Sequence, residues 1–114
     1  MLNQTVLVGR LVSDPEIKES EGEKKYVNIT LAVPRSYKNE DGEYETDFID
    51  VRLWNGVAEN TAEYCKKGDL IGAKGRIQTR EVEKEDGTKS KITEVIAEKI
   101  TFLSSKPREH EQER

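Results

Sequence analysis

Residues 48–54, Phe-Ile-Asp-Val-Arg-Leu-Trp, alternate with period two. Successive side chains leave a strand on opposite faces, so this is the pattern of a strand buried on one side only. Ile49, Val51 and Leu53 supply core, while Phe48, Asp50, Arg52 and Trp54 share the other face. A solvated face is ordinarily polar, and two large rings around an arginine there require a reason. Flat rings beside a guanidinium make a surface on which unpaired bases can stack while the cation meets phosphate. A second packing surface, such as a subunit contact, explains this segment on its own equally well.

The rest of the chain supplies partners for that strand. Residues 6–12 read as a strand ended by Ser13-Asp14-Pro15, because Pro cannot donate to a ladder and Asp and Ser favour turns. Residues 16–25 are charged, with Gly22 at a turn. Residues 26–33 alternate, with Val27, Ile29, Leu31 and Val33 inward and Tyr26, Asn28 and Thr30 outward. Pro34 closes that strand, and residues 35–47 form a long polar connection with a turn at Asp41-Gly42. Asn55-Gly56 breaks the aromatic strand. Residues 57–65 then read as one short helix with Val57, Thr61, Tyr64 and Cys65 on one face. Lys66 and Lys67 suit its C-terminal dipole and Gly68 its left-handed cap. Residues 70–82 and 91–103 are long strands joined through the hairpin signal Asp86-Gly87.

Three strands, one helix and two strands is the layout of an all-β fold, a five-stranded OB-fold barrel with one short helix between strands 3 and 4. Closure into a barrel protects the sheet edges, and the helix plugs one end. A β-sandwich is the alternative, although five strands are few for one. A chain of 114 residues holds one such domain. It spans 1–104, leaving 105–114 as a short charged tail. Charged residues (37%) outnumber hydrophobic ones (33%), which fits a small core with exposed arms or an obligate oligomer.

The net charge of −4 argues against holding duplex DNA by bulk charge. A local basic track is compatible with it, because acids gather in the connections and the tail: Glu40, Asp41, Glu43 and Glu45, then Glu109, Glu111 and Glu113. Lys74, Arg76, Gln78 and Arg80 lie two apart and share one side of the fourth strand, with Ala73, Gly75, Ile77 and Thr79 on the other. Such a row follows a phosphate backbone in steps of about 6–7 Å. A plain solvated face is the competing explanation. Arg10 and Arg35, near strand ends, extend the track, and Tyr37 beside Lys38 offers a third stacking ring.

Catalysis finds little support. The single histidine, His110, falls in the charged tail, and the single cysteine, Cys65, falls on the apolar helix face as a core residue. One cysteine excludes an intrachain disulfide. There is no Cys/His cluster for zinc and no phosphate-binding Gly-rich loop, so neither metal nor cofactor is expected, and no enzyme. Asp14 reads as a turn former, and Gly9, in mid-strand, as a place of close backbone approach. No apolar run reaches the roughly 18 residues of a membrane span, and the start carries no secretory pattern, which leaves a cytoplasmic protein.

Asn3-Gln4-Thr5-Val6-Leu7-Val8-Gly9-Arg10-Leu11 with Asp14-Pro15 resembles the opening of the bacterial single-stranded DNA-binding proteins. The segments 29–33, 58–64, Lys67-Gly68, 75–80 and Thr93-Glu94-Val95 continue the likeness over about residues 3–103. The resemblance implies an OB-fold, usually assembled as a homotetramer with a dimer left open. It also implies sequence-tolerant binding of single-stranded DNA in replication, recombination, repair or DNA uptake, close to the nucleoid. It places the family's stacking aromatics at Tyr37, Phe48 and Trp54, and its basic position at Arg80. Many relatives carry a further aromatic where this chain has Val82, and losing one platform costs roughly 1–3 kcal/mol per base. Typical cellular members end in a long linker with an acidic tip. Here acids alternate with bases through residue 114, so recruitment of enzymes by such a tail is not expected. Short paralogues used in DNA uptake, phage versions and cut chains share this ending. A binding-deficient OB module for protein assembly is the competing function.

Overall fold

The computed structural model describes residues 1–105; the expected tail with His110, Glu109, Glu111 and Glu113 lies outside them. In chain order the elements are β1 (Thr5–Leu11), β2 (Lys18–Glu19), β3 (Lys25–Lys38), β4 (Tyr44–Trp54), α1 (Asn55–Tyr64), β5 (Leu70–Glu83) and β6 (Lys89–Ser104). The sheet runs β1-β5-β6-β4-β3-β2, and antiparallel pairing of β1 with β3 closes it into a barrel. One seam is parallel, where Val51 and Arg52 of β4 meet Val95 and Ile96 of β6. The two-residue β2 is an addition beside β3, so the helix expected between the third and fourth strands stands between β4 and β5.

Alternation sets the core. Val27, Ile29, Leu31, Val51, Leu53, Ile71 and Ala73 point inward and are buried, with Ile49 and Val33 half-buried against them. Each buried Val, Leu or Ile side chain stabilises the barrel by about 1.5–3 kcal/mol. Ala58 and Thr61 of α1 and the following Cys65 close one end of this core.

Three local readings change. First, β3 does not stop at Pro34 but runs to Lys38, with Pro34 opposite Thr46. Its pairing with β1 ends at Ala32, so Pro34 has β4 alone as a neighbour and costs the sheet little. The expected connection over 35–47 is therefore mostly a hairpin arm. It turns where Asn39 Oδ1 accepts the amides of Asp41 and Glu43 at 2.9 and 3.0 Å. Second, α1 ends at Tyr64 and Cys65 is already extended, so Lys66 and Lys67 lie beyond the helix. Their amides donate to Asp69 Oδ2 and Asp14 Oδ1, and Gly68 (φ 92°) serves this turn instead of a helix cap. Tyr64, expected on the packed face, is exposed. Third, the β5–β6 hairpin leaves the barrel after Gly75, so Ile77 and Thr79 are exposed as well as Arg76, Gln78 and Arg80. Val82, opposite Ser90, is half-buried on that arm.

Two strand glycines are required by close approach. A Cβ at Gly9 would lie 2.6 Å from the Ala32 carbonyl oxygen, and one at Gly75 would lie 1.9 Å from that of Ile96. Gly75 also marks the register shift in the β5–β6 ladder, where the barrel gives way to the projecting arm. Among the described residues no helix is long and apolar enough to cross a membrane. Gly75→Ala is expected to lower the unfolding free energy by about 2–3 kcal/mol in urea titration. An unchanged midpoint would contradict the tight seam.

Candidate nucleic-acid interface

The register of β3 against β4 builds the outer face row by row. Tyr26 lies opposite Trp54, Asn28 opposite Arg52, Thr30 opposite Asp50 and Ala32 opposite Phe48. The Tyr26 and Trp54 rings are 5.3 Å apart at 44°. The Arg52 guanidinium sits 5.2 Å from the Tyr26 ring centre and 5.7 Å from that of Trp54. Arg52 Nε donates to Asn28 Oδ1 at 2.9 Å, and the Thr30 hydroxyl donates to Asp50 Oδ1 at 2.7 Å. Trp54 is thereby half-buried and held on one side by its neighbours. Phe48, opposite only the small Ala32, is 67% exposed. Arg10 pairs with Ala32 from the other side, which puts it on the same face two strands from Phe48, about 10 Å away from backbone to backbone. Its Nη1 also donates to the Gly68 carbonyl at 2.9 Å.

β6 lies between β4 and β5, and its Glu94 joins their cations. Glu94 Oε1 accepts from Arg80 Nε at 3.0 Å, and Oε2 is 3.9 Å from Arg52 Nε. A hollow of about 390 Å³ opens here, lined by Thr30, Asp50, Arg52, Arg80, Ile92 and Glu94. The basic row on β5 is exposed throughout, as its spacing requires. Lys74 stands across from Lys99, and Arg76 reaches Gln78 Oε1 at 3.3 Å and Glu98 at 4.0 Å. On the β3–β4 arm Tyr37 is 63% exposed, and Lys38 Nζ lies 5.7 Å from the Tyr44 ring centre.

Arg35 is not part of this face. It lies past the register shift that follows Pro34, and its side chain turns to Asp47, which leaves β4 on the side opposite to Phe48 and Trp54. There Asp47 holds it through three contacts of 2.9–3.3 Å and Glu45 through one of 2.6 Å. Its bonds and charge hold the Asp47 carboxyl below the usual carboxylate range. The expected extension of the track through Arg35 is thus replaced by an ion-pair cluster that ties the arm together. Tyr26, Asn28, Tyr44 and Glu94 join the site without having been given a binding role by spacing. Period two shows which face each occupies, whereas their contacts depend on the register.

A larger hollow of about 560 Å³ lies between α1 and the end of β6, lined by Val57, Thr61, Tyr64, Cys65, Ile100 and Phe102 among others. It is mostly apolar and lacks the guanidinium row. Burial pushes the Cys65 thiol up, so it remains a neutral core group. Among the described residues no group of His, Cys, Asp or Glu could hold a metal ion.

A closed barrel with a capping helix, carrying rings and cations on one sheet face, is an OB-fold of the nucleic-acid-binding kind. The sequence profile of the single-strand binding protein family matches residues 2–103, and the chain belongs to that family. It is 49% identical over 109 residues to single-stranded DNA-binding protein B of Bacillus subtilis, covering 96% of each chain. It is 48% identical over 103 residues to the single-stranded DNA-binding protein of Halalkalibacterium halodurans, covering 90% of this chain and 61% of that one. The crystal structure of a deletion mutant of the Thermus aquaticus single-stranded DNA-binding protein superposes with a TM-score of 0.75 at 30% identity. That match covers 90% of this chain and 51% of the other.

The Arg35–Asp47 pair gives a pH test. A carboxyl whose pKa is depressed in the fold adds stability above its unfolded pKa and loses it as pH falls through the folded value. Asp47→Asn should therefore lower the urea midpoint at pH 7, and the gap should begin to narrow at about pH 4 and vanish only below the depressed folded value. A gap that persists unchanged at low pH would contradict the ionic contribution.

Proposed function

We propose that this chain binds single-stranded DNA with little sequence preference. Bases stack on Trp54, Phe48 and Tyr37, and phosphates run along Lys74, Arg76, Arg80, Arg52, Arg10 and Lys38. The observation that carries this reading is Phe48: a ring 67% exposed on the row that also holds Arg10, farther along the strand face that carries Trp54 and its guanidinium neighbour. An exposed ring costs solubility unless something covers it, and the faces of all four bases are suitable covers. The names of the relatives, single-stranded DNA-binding proteins, point the same way. Stacking does not read base edges, so sequence tolerance follows from the chemistry. Protection of unwound DNA in replication, recombination, repair or uptake, in the cytoplasm, is the role that fits. Binding, with no chemical step, is the activity proposed.

Self-association belongs to the same reading. On β1, Val6 is 66% and Val8 48% exposed, with Leu2 at 88% just before them. β1 pairs with β5 over Thr5 to Arg10 but with β3 only at Arg10 and Leu11, so one edge of Thr5 to Gly9 has no ladder partner among the described residues. An open edge beside exposed valines suits a second copy of the chain. We expect a homotetramer, of which a dimer through this edge is the first stage.

Trp54→Ala and Phe48→Ala should each weaken oligo(dT) binding by about 5- to 150-fold, the cost of one stacked base. Arg80→Ala should reduce the slope of log K against log[salt] by about 0.7. Equal affinities for wild type, Trp54→Ala and Arg80→Ala would rule out this interface. In sedimentation, Val6→Glu with Val8→Glu should shift the protein to a smaller species; an unaltered mass would exclude β1 as the contact.

A further inference from the structure

Resting on the single-stranded DNA-binding reading, we infer that Glu94 is the positioning residue of the interface. It holds Arg80 by a hydrogen bond at Nε, faces Arg52 Nε across 3.9 Å, and so turns the outer amino groups of Arg80 toward the phosphates. The sheet order is the first ground: β6 is the one strand that neighbours both β4 and β5, and Glu94 is its residue beside both arginines. The second ground is the choice of donor. Arg80 uses Nε for Glu94 at 3.0 Å, and Arg52 uses Nε for Asn28 at 2.9 Å while facing Glu94 at 3.9 Å. A guanidinium has five N–H donors, of which Nε supplies one. Neither arginine has an Nη hydrogen bond among the described residues. The third ground is depth. The Glu94 side chain is 11% exposed beneath an Arg80 side chain that is 40% exposed. A phosphate arriving from solvent meets the guanidinium before the carboxylate.

The carboxylate therefore need not be displaced for DNA to bind. It has two opposing effects: its charge repels phosphate, and its grip removes rotamer freedom that the arginines would otherwise lose on binding. Gln and Ala separate them. Glu94→Gln keeps an acceptor oxygen of the same reach and drops the charge. Glu94→Ala drops both, so the two variants carry the same net charge and differ in the acceptor and the stem that carries it.

The experiment measures oligo(dT) affinity by anisotropy for wild type, Glu94→Gln and Glu94→Ala, with thermal unfolding as the check on folding. Glu94→Ala should bind about fivefold more weakly than Glu94→Gln, the worth of one ordinary hydrogen bond. With Arg52→Ala and Arg80→Ala together as background, that gap should vanish. Arg80→Lys keeps the charge without the fork and leaves Glu94 in place; it should lose affinity about fourfold. Equal binding by Glu94→Gln and Glu94→Ala, a gap that survives loss of both arginines, or wild-type affinity in Arg80→Lys would overturn the assignment. Failure of the wild type itself to bind oligo(dT) would instead remove the DNA-binding reading on which it rests.

Discussion

The antiparallel register of β3 on β4 is the constraint from which both core and interface follow. With Val27 opposite Leu53 and Ile29 opposite Val51, the inner rows fill the barrel. The same register sets Tyr26 against Trp54 and Asn28 against Arg52 on the outer rows. A slip of one residue would turn every side chain of a strand to the other face, burying Arg52 and exposing Leu53. Hydrophobic burial thus fixes the geometry of the binding face without any of that face's residues having to supply the stability. The face can carry rings, cations and carboxylates selected for what they contact.

A net charge of −4 is reconciled with a polyanionic ligand by where the charges stand. Acids crowd the β3–β4 turn, while Lys74, Arg76 and Arg80 line an exposed strand. Several cations are also paired within the chain. Arg35 is occupied by Asp47 and Glu45 on the opposite side, and Arg80 and Arg52 share Glu94. The exposed Arg35 pairs contribute only modestly to folding stability. Arg80, held at Nε, has no Nη hydrogen bond among the described residues. Attraction for a phosphate backbone is then local and strongly dependent on salt.

The parts of this arrangement set by period two are legible in the sequence. The rows Val27–Ile29–Leu31 and Val51–Leu53, the exposed Phe48 and the run Lys74–Arg76–Gln78–Arg80 all stand where alternation puts them. What pattern does not reveal depends on neighbours distant in the chain. Pro34 looks like a strand end, yet is tolerated because β1 has already left β3 at Ala32. Arg35 looks like a free cation until β4 brings Asp47 and Glu45 beside it. Ile77 alternates like a core residue but is 47% exposed where the hairpin leaves the barrel. Glu94 reads as a strand acid, and its two arginines come from strands on either side of it.

The central claim is that the ring of Trp54, held by Tyr26 and Arg52 on one side, offers its other side to a base. Trp54 is the chain's single tryptophan, so its fluorescence reports on that ring alone. Titration with oligo(dT) at low and high salt is the most direct measurement. Strong quenching that saturates with DNA, at an affinity that falls as salt rises, is the expected result. Binding of the oligonucleotide with Trp54 emission unchanged would place the DNA elsewhere on the molecule and contradict the account.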